Sequence, residues 1–313
     1  PPEENQPPQL GKPSNVAAGV PAIISTMKHG ISKSGITGAI SSLNRVNKFG
    51  GFDCPGCAWP DPDGHRTIAE FCENGAKAVA DEATKKSITK EFFTQHTVQE
   101  LSEKSDQWLN SRGRLSTPMI LQSGSNNYTP IGWDDAFDFI ADELCSLSEP
   151  NDAIFYTSGR TSNEAAFLWQ LLARGFGTNN LPDCSNMCHE SSGFALSDSI
   201  GIGKGTVKLE DFNKADLILV LGQNPGTNHP RMLTALRDAR KNGASIISIN
   251  PLIETGMKKF KHPQNPLEML GSGKSIADQH VRVKINGDLA LFRGINNLLL
   301  KDEMYDLIFI DNF

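Results

Sequence analysis

The stretch "DLILVLGQNPGTNHPRMLTALRDARKNGASIISIN", residues 216–250, decides how this chain folds. It opens on an apolar run of strand length, "DLILVLG", and passes through a polar loop carrying Gly222 and Gly226. A helix is expected next, from Pro230 to Asn242, because proline suits a first helical turn and Gly243 stands just beyond the end. A second apolar run, "ASIISIN" at 244–250, completes a strand–helix–strand unit. Such crossovers are right-handed and join parallel strands, so the two runs should lie side by side in one sheet.

The same alternation extends in both directions. Downstream, "HVRVKIN" (280–286) reads as a strand and "LALFRGINNLLL" (289–300) as a helix. Upstream, "AIFYTSG" (153–159) reads as a buried strand, and Thr161 with Glu164 fits a capping box opening the helix "NEAAFLWQLLARGFG". Before it, Trp133, Ala136, Phe137, Ile140 and Leu144 recur at three and four residues, predicting a helix with one apolar face on which Cys145 joins the core. The expected fold class is therefore α/β, a doubly wound, mostly parallel, Rossmann-like sheet over 116–313. Residues 22–115 are irregular and glycine-punctuated, helical in patches such as 69–82, and form a small loop-rich region. Residues 1–21, with six prolines, predict a disordered or extended lead-in. The chain stops after a helix with no closing element and begins without Met, which is what a trimmed piece of a longer, multi-domain protein would show.

A chain of 313 residues at 38% hydrophobic can bury a core in each of two domains. Its 30 basic and 36 acidic side chains, formally −6, offer no broad cationic face to nucleic acid or an anionic membrane. The apolar runs fall far short of the roughly 20 residues that span a bilayer. The polar, proline-rich start lacks the pattern of a secretory signal, so a cytoplasmic location is expected. In that reducing compartment the six cysteines read as thiols or metal ligands rather than disulfides.

Three motifs carry chemistry. In "CPGC", Cys54 and Cys57 can turn two sulfurs toward one metal or cluster, with Cys72 following. Zinc, iron–sulfur and redox-dithiol readings all stay open, although loop flanks favour a metal over the strand–helix setting of a dithiol. The loop "GQNPGTNHP", 222–230, lies between a parallel strand and a helix start, where backbone N–H groups favour a phosphate; it is not the GxGxxG fingerprint, and an ordinary β–α turn explains it equally well alone. In "DCSNMCHESSG", 183–193, Cys188 and His189 stand among Ser185, Asn186, Glu190, Ser191 and Ser192. An isolated cysteine is ordinarily a small hydrophobe, but these neighbours make no apolar pocket, and an adjacent imidazolium or helix start favours thiolate.

Taken together with "CPGCAWPDP", "YTPIGWDDAFDFIADEL" and "FYTSGRTSNEAAFLWQLLARGFGTNNLPDCSNMCHESSG", these motifs resemble the catalytic subunit of the molybdopterin oxidoreductases, in the formate dehydrogenase alpha-like branch, from about Gly51 onward. The resemblance implies a Mo-bis(molybdopterin guanine dinucleotide) cofactor, a [4Fe-4S] cluster, a small-molecule substrate such as formate, and a redox partner or electron acceptor. By the same resemblance Cys188 ligates molybdenum and His189 handles the substrate's proton. Gly222, Asn224, Pro225, Gly226 and Asn228 cradle the dinucleotide, and Ser158, Gly159, Arg160 and Asn163 form a turn near the cofactor. Lys77 lies between cluster and pterin, Asn250 belongs to guanine recognition, and Cys54, Cys57 and Cys72 hold the cluster. Electrons would leave through that cluster. The chain departs from the family's pattern at "AWPDPDG", where cluster-binding relatives place a third cysteine, and at Asn250, where many carry an acidic residue. A non-catalytic electron-transfer or scaffold subunit without molybdenum is the alternative, and a zinc-stabilised nucleotide-binding protein the third.

Overall fold

The computed structural model describes residues 11–57 and 59–312, and they divide into two compact units. Residues 27–56 and 74–206 make up the body of the first; residues 13–26, 57–73 and 207–312 make up the second. The first ten residues of the expected lead-in lie outside the described residues.

In the first unit the elements are mostly helical. Helix α1, Gly19–Leu43, begins in the second unit's share of the chain and bends at Gly35, whose φ of 73° no helix contains. The sequence reading had no helix here, because "ISTMKHGISKSGITGAISS" mixes Ser, Gly and β-branched residues without a clean helical period. Helix α2 covers Glu73–Glu82 and buries Ala76, Ala78, Val79 and Ala80. Helix α3, Trp133–Cys145, has the predicted limits, but its apolar face is not covered: Trp133 is 63% exposed, and Cys145 is exposed rather than in the core. Helix α4, Asn163–Phe176, is capped one residue later than predicted, by Ser162, whose hydroxyl accepts from the Ala165 N–H at 3.2 Å; Gly177 closes it in the left-handed conformation. Residues 153–159 are extended yet form no ladder. Phe155 N–H to Asn180 O at 2.9 Å, Asn180 Nδ2 to Ala153 O at 3.2 Å, and a bridge between Thr157 and Asp183 tie them down. Ala153 and Phe155 pack on Ala173 while Ile154 and Tyr156 face outward, the alternation of a half-covered strand rather than a buried one.

The second unit is built on the deciding stretch. Strand β1, Leu217–Leu221, pairs in parallel with β2, Ser245–Ile249, from Leu217↔Ser245 to Leu221↔Ile249, and β2 pairs in parallel with β3, Gln279–Val281. Strand β3 is shorter than the predicted 280–286 because its partner ends at Ile249 and the last ladder bond is Asn250 N–H to Val281 O at 3.1 Å. Between β1 and β2 run α5, Pro225–Asn228, and α6, Met232–Lys241. The helix starts two residues later than predicted because the loop before it coils into a turn of its own.

Helix α6 buries Leu233, Leu236 and Ala239 at intervals of three, the two leucines against Val220, Ile246, Met257, Phe260 and Ile276. Each such apolar side chain contributes roughly 1.5–3 kcal/mol. Arg240 and Lys241 suit the negative end of the helix. Arg237 forks onto both oxygens of Glu268 at 2.7 Å, in the short helix α8, Pro266–Leu270, which follows α7, Thr255–Lys258. The opposite face of β1 carries Leu217, Leu219 and Leu221, all exposed. Among the described residues no helix is long and apolar enough to cross a membrane.

Candidate functional site

In the first unit, residues 183–190 are organised by local caps. Asp183 precedes a short helix, Cys184–Cys188, and its Oδ1 accepts from the N–H groups of Ser185 at 2.7 Å and Asn186 at 3.2 Å. Asn186 returns the bond, its Oδ1 accepting the Asp183 N–H at 2.9 Å, and its amide donates to Glu190 at 3.0 Å. Asp183 and Asn186 thus each serve the backbone, as side chains of this type do at helix starts. The chain breaks at His189, with φ of −145° and ψ of 25°, and a second helix runs Glu190–Ile200. Cys188 is the last residue before that break, and its thiol is exposed.

The turn at 158–161 meets this helix. Thr161 N–H donates to Ser158 O at 3.0 Å and Arg160 N–H to Ser158 Oγ at 3.2 Å. A Cβ at Gly159 would stand 3.0 Å from Cys184 Sγ, so any other residue here would push that thiol aside by a few tenths of an ångström. Ser158, Gly159, Arg160 and Asn163 are therefore gathered beside the helix that ends in Cys188, all within one unit. Lys77 is half-buried in Glu73–Glu82.

In the second unit the loop leaves β1 at Gly222, whose N–H still reaches Ile249 O at 3.0 Å and whose φ is +61°. Nothing lies within 4 Å of where its Cβ would be, so the loop's start is open on that side. Asn224 O then accepts from the N–H groups of Thr227 and Asn228 at 3.1 and 2.9 Å. Gly226 meets Gly256 backbone to backbone, with a Cβ on either standing 3.0–3.2 Å from the other's Cα. Asn250 is buried, and both ends of its amide serve the chain: Nδ2 donates to Gln223 O and Oδ1 accepts from Leu252 N–H, each at 3.1 Å. It is a strut under the loop.

Two atoms the sequence reading did not single out stand out by burial. Gln223 Oε1 and His229 Nδ1 are buried with no hydrogen-bond partner among the described residues. Unsatisfied buried polar atoms are costly and rare. An open glycine start and two unpaired polar atoms at a strand's carboxyl end fit a polar ligand such as a dinucleotide. A lone exposed thiol fits a metal whose remaining ligands come from a cofactor. The cysteine triplet fits less well. Cys54, Cys57 and Cys72 are half-buried, and among the described residues no three His, Cys, Asp or Glu side chains gather as a metal-binding set. Around Cys54 the backbone is ordered by Asn47, whose Oδ1 accepts the Cys54 N–H at 2.8 Å, and Gly56 N–H points at Cys54 Sγ at 3.3 Å.

Comparison with known proteins gives a consistent set of likenesses. The sequence profile of the molybdopterin oxidoreductases matches residues 114–307. An uncharacterized oxidoreductase of Mycobacterium tuberculosis is 56% identical over 95% of this chain and 39% of its own length. Protein YdeP of Escherichia coli is 54% identical over 82% of this chain and 34% of its own. Formate dehydrogenase H of Escherichia coli is 31% identical over 63% of this chain and 26% of its own. Among solved structures, acetylene hydratase from Pelobacter acetylenicus superposes with a TM-score of 0.50 at 20% identity, covering 63% of this chain and 25% of that one, a likeness of fold. This chain thus spans well under half the length of these relatives.

Proposed function

The chain belongs to the molybdopterin oxidoreductase family, and on that premise we propose that it is part of a molybdenum-dependent oxidoreductase that oxidises a small substrate, formate in the first instance, by two electrons. The observation that carries this reading is the exposed Cys188 thiol at a helix break, followed directly by His189.

Cys188 would hold molybdenum through a soft thiolate. The metal and its two molybdopterin guanine dinucleotides, when bound, supply the two-electron redox chemistry. His189 takes the proton released as the C–H bond of formate breaks, leaving carbon dioxide and two electrons. Ser158, Gly159, Arg160 and Asn163 shape the wall beside the thiol, and Lys77 contributes to the pterin side. Gly222, Asn224, Pro225, Gly226 and Asn228 would receive dinucleotide phosphates, with Asn250 holding the loop's shape. The doubly wound sheet belongs to the same reading, in which further helices cover Leu217, Leu219 and Leu221. So do a cytoplasmic location, a redox partner and the division at 21 and 115.

A [4Fe-4S] cluster at Cys54, Cys57 and Cys72 is the finer reading of the sequence. Because these thiols form no metal set among the described residues, no electron path is drawn through them. The missing third cluster cysteine after Cys57, where the chain reads "AWPDPDG", favours the second reading, a scaffold subunit without molybdenum. Elemental analysis of the anaerobically purified full-length protein separates the two. Molybdenum near one per chain, lost in Cys188→Ala together with turnover, supports the enzyme; iron or zinc without molybdenum refutes it.

A further inference from the structure

The residue that ends the loop's turn, Arg231, is held from a distant part of the sequence. Its side chain is only 14% exposed. Nη1 lies 2.7 Å from Asp61 Oδ1, an ion pair poorly aligned for a hydrogen bond, and Nη2 donates to Glu70 Oε1 at 2.5 Å. Glu70 is 7% exposed at its side chain, and its other oxygen accepts both the N–H and the hydroxyl of Thr67 at 2.7 Å. Arg66 reaches the second oxygen of Asp61 at 3.2 Å. Two ring contacts run alongside, Trp59 to Phe212 at 5.7 Å and Trp59 to His229 at 6.3 Å between centroids. All these residues belong to the second unit.

Burial alone would push the Glu70 carboxyl toward its neutral form, yet the Thr67 bonds and the Arg231 guanidinium outweigh it and hold Glu70 below its usual range. Three further attachments of segment 59–70 lie at the rim: Asp63 N–H to Glu210 at 3.1 Å, Lys208 to Asp63 at 3.4 Å, and Gln264 to Ala69 O at 2.9 Å. Exposed contacts of that kind contribute little. The rigid planar fork of an arginine presents separate donors to two carboxylates at once, where a lysine offers one compact ammonium on a flexible stem.

We propose that Arg231 is a positioning residue for the phosphate loop. Gripped by Asp61 and Glu70, it fastens the Trp59–Glu70 segment to the turn Pro225–Arg231, so that the loop keeps its shape only while that segment is docked. The proposal rests on the reading of 222–228 as a dinucleotide cradle. It also joins the loop to the stretch between Cys57 and Cys72, so that a change at either thiol would be felt at the loop.

The test is amide hydrogen exchange on the full chain, with titration of guanosine diphosphate as the probe, in wild type, Arg231→Met and Arg231→Lys. Losing one partner of a buried pair loosens what it held, so Arg231→Met should speed exchange at Thr227, Asn228 and His229 and across 59–70 by about tenfold or more. Exchange at 245–249 should not change. Affinity for guanosine diphosphate should fall by a similar factor, and Arg231→Lys should recover part of both. If Arg231→Met folds poorly because two carboxylates are left uncompensated, the uncharged set Arg231→Met with Asp61→Asn and Glu70→Gln removes the grip without that penalty, and the same loosening is expected. Unchanged exchange at 227–229, or a uniform rise throughout the second unit, would overturn the proposal. A wild-type protein that ignores guanosine diphosphate would instead overturn the cradle reading, while the exchange pattern still decides the grip.

Discussion

The thiol segment 183–190 and the loop 222–231 are both held firmly, but by different forces. Around Cys188 the side-chain bonds are short-range, between residues two to four apart, and the side chains are largely exposed, with one backbone bridge from Asp183 to Thr157. Around the loop they are long-range: a parallel sheet below, a buried strut from Asn250, a glycine-to-glycine contact with α7, and an ion pair reaching 161 residues back along the chain. Local caps can fix the direction in which a thiol leaves a helix, but they bury nothing. A loop on a packed sheet is rigid before any ligand arrives, as a phosphate cradle has to be. The loop is therefore shaped before any ligand arrives, whereas the thiol segment is shaped mainly by its own sequence neighbours.

The largest expected effect breaks the long-range side. Leu236 is fully buried, so Leu236→Ala should cost about 2–5 kcal/mol. Urea unfolding followed by Trp fluorescence measures it, and a loss under 1 kcal/mol would mean that this core is loosely packed. A smaller effect probes the local side. Asp183→Ala should cost about 0.5–2 kcal/mol. Exchange should rise at Ser185 and Asn186, whose N–H groups it frees, while the sheet amides at 245–249 stay as they were; a sheet-wide change would erase the contrast between the two regions.

The smallest is a pH effect. Arg237 and then, against the opposing effect of burial, Lys241 hold the Glu268 carboxyl at about 2 rather than its usual 4.5. A depressed carboxylate stabilises the folded state fully above its unfolded value, and that contribution fades as pH falls from about 4.5 toward 2. Denaturation midpoints of wild type and Glu268→Gln should therefore converge across that window, and parallel curves would remove Glu268 from the acid response.

The second unit was the more legible of the two. Two apolar runs of strand length around a proline-started, glycine-ended helix leave few alternatives, and β1, α6 and β2 follow. The apolar face predicted for Trp133–Leu144 was also read correctly as a pattern, but a pattern names a face and not what covers it, and that face is exposed. Helix α1 was illegible because its sequence lacks a period, and 153–159 was taken for a ladder strand because extended apolar segments look alike whether or not a neighbour pairs with them. At the candidate site, Cys188 and the glycines were visible as residue types in order. The strut of Asn250, the unpaired atoms of Gln223 and His229, and the grip on Arg231 were not, because each depends on burial or on a partner far away in sequence.

The central claim is that Cys188 supplies the protein's own ligand to molybdenum. X-ray absorption at the molybdenum edge of the full-length protein, wild type beside Cys188→Ser, tests it most directly. The variant should lose one sulfur neighbour of the metal while its fold is unchanged. An identical sulfur shell in both proteins would contradict it.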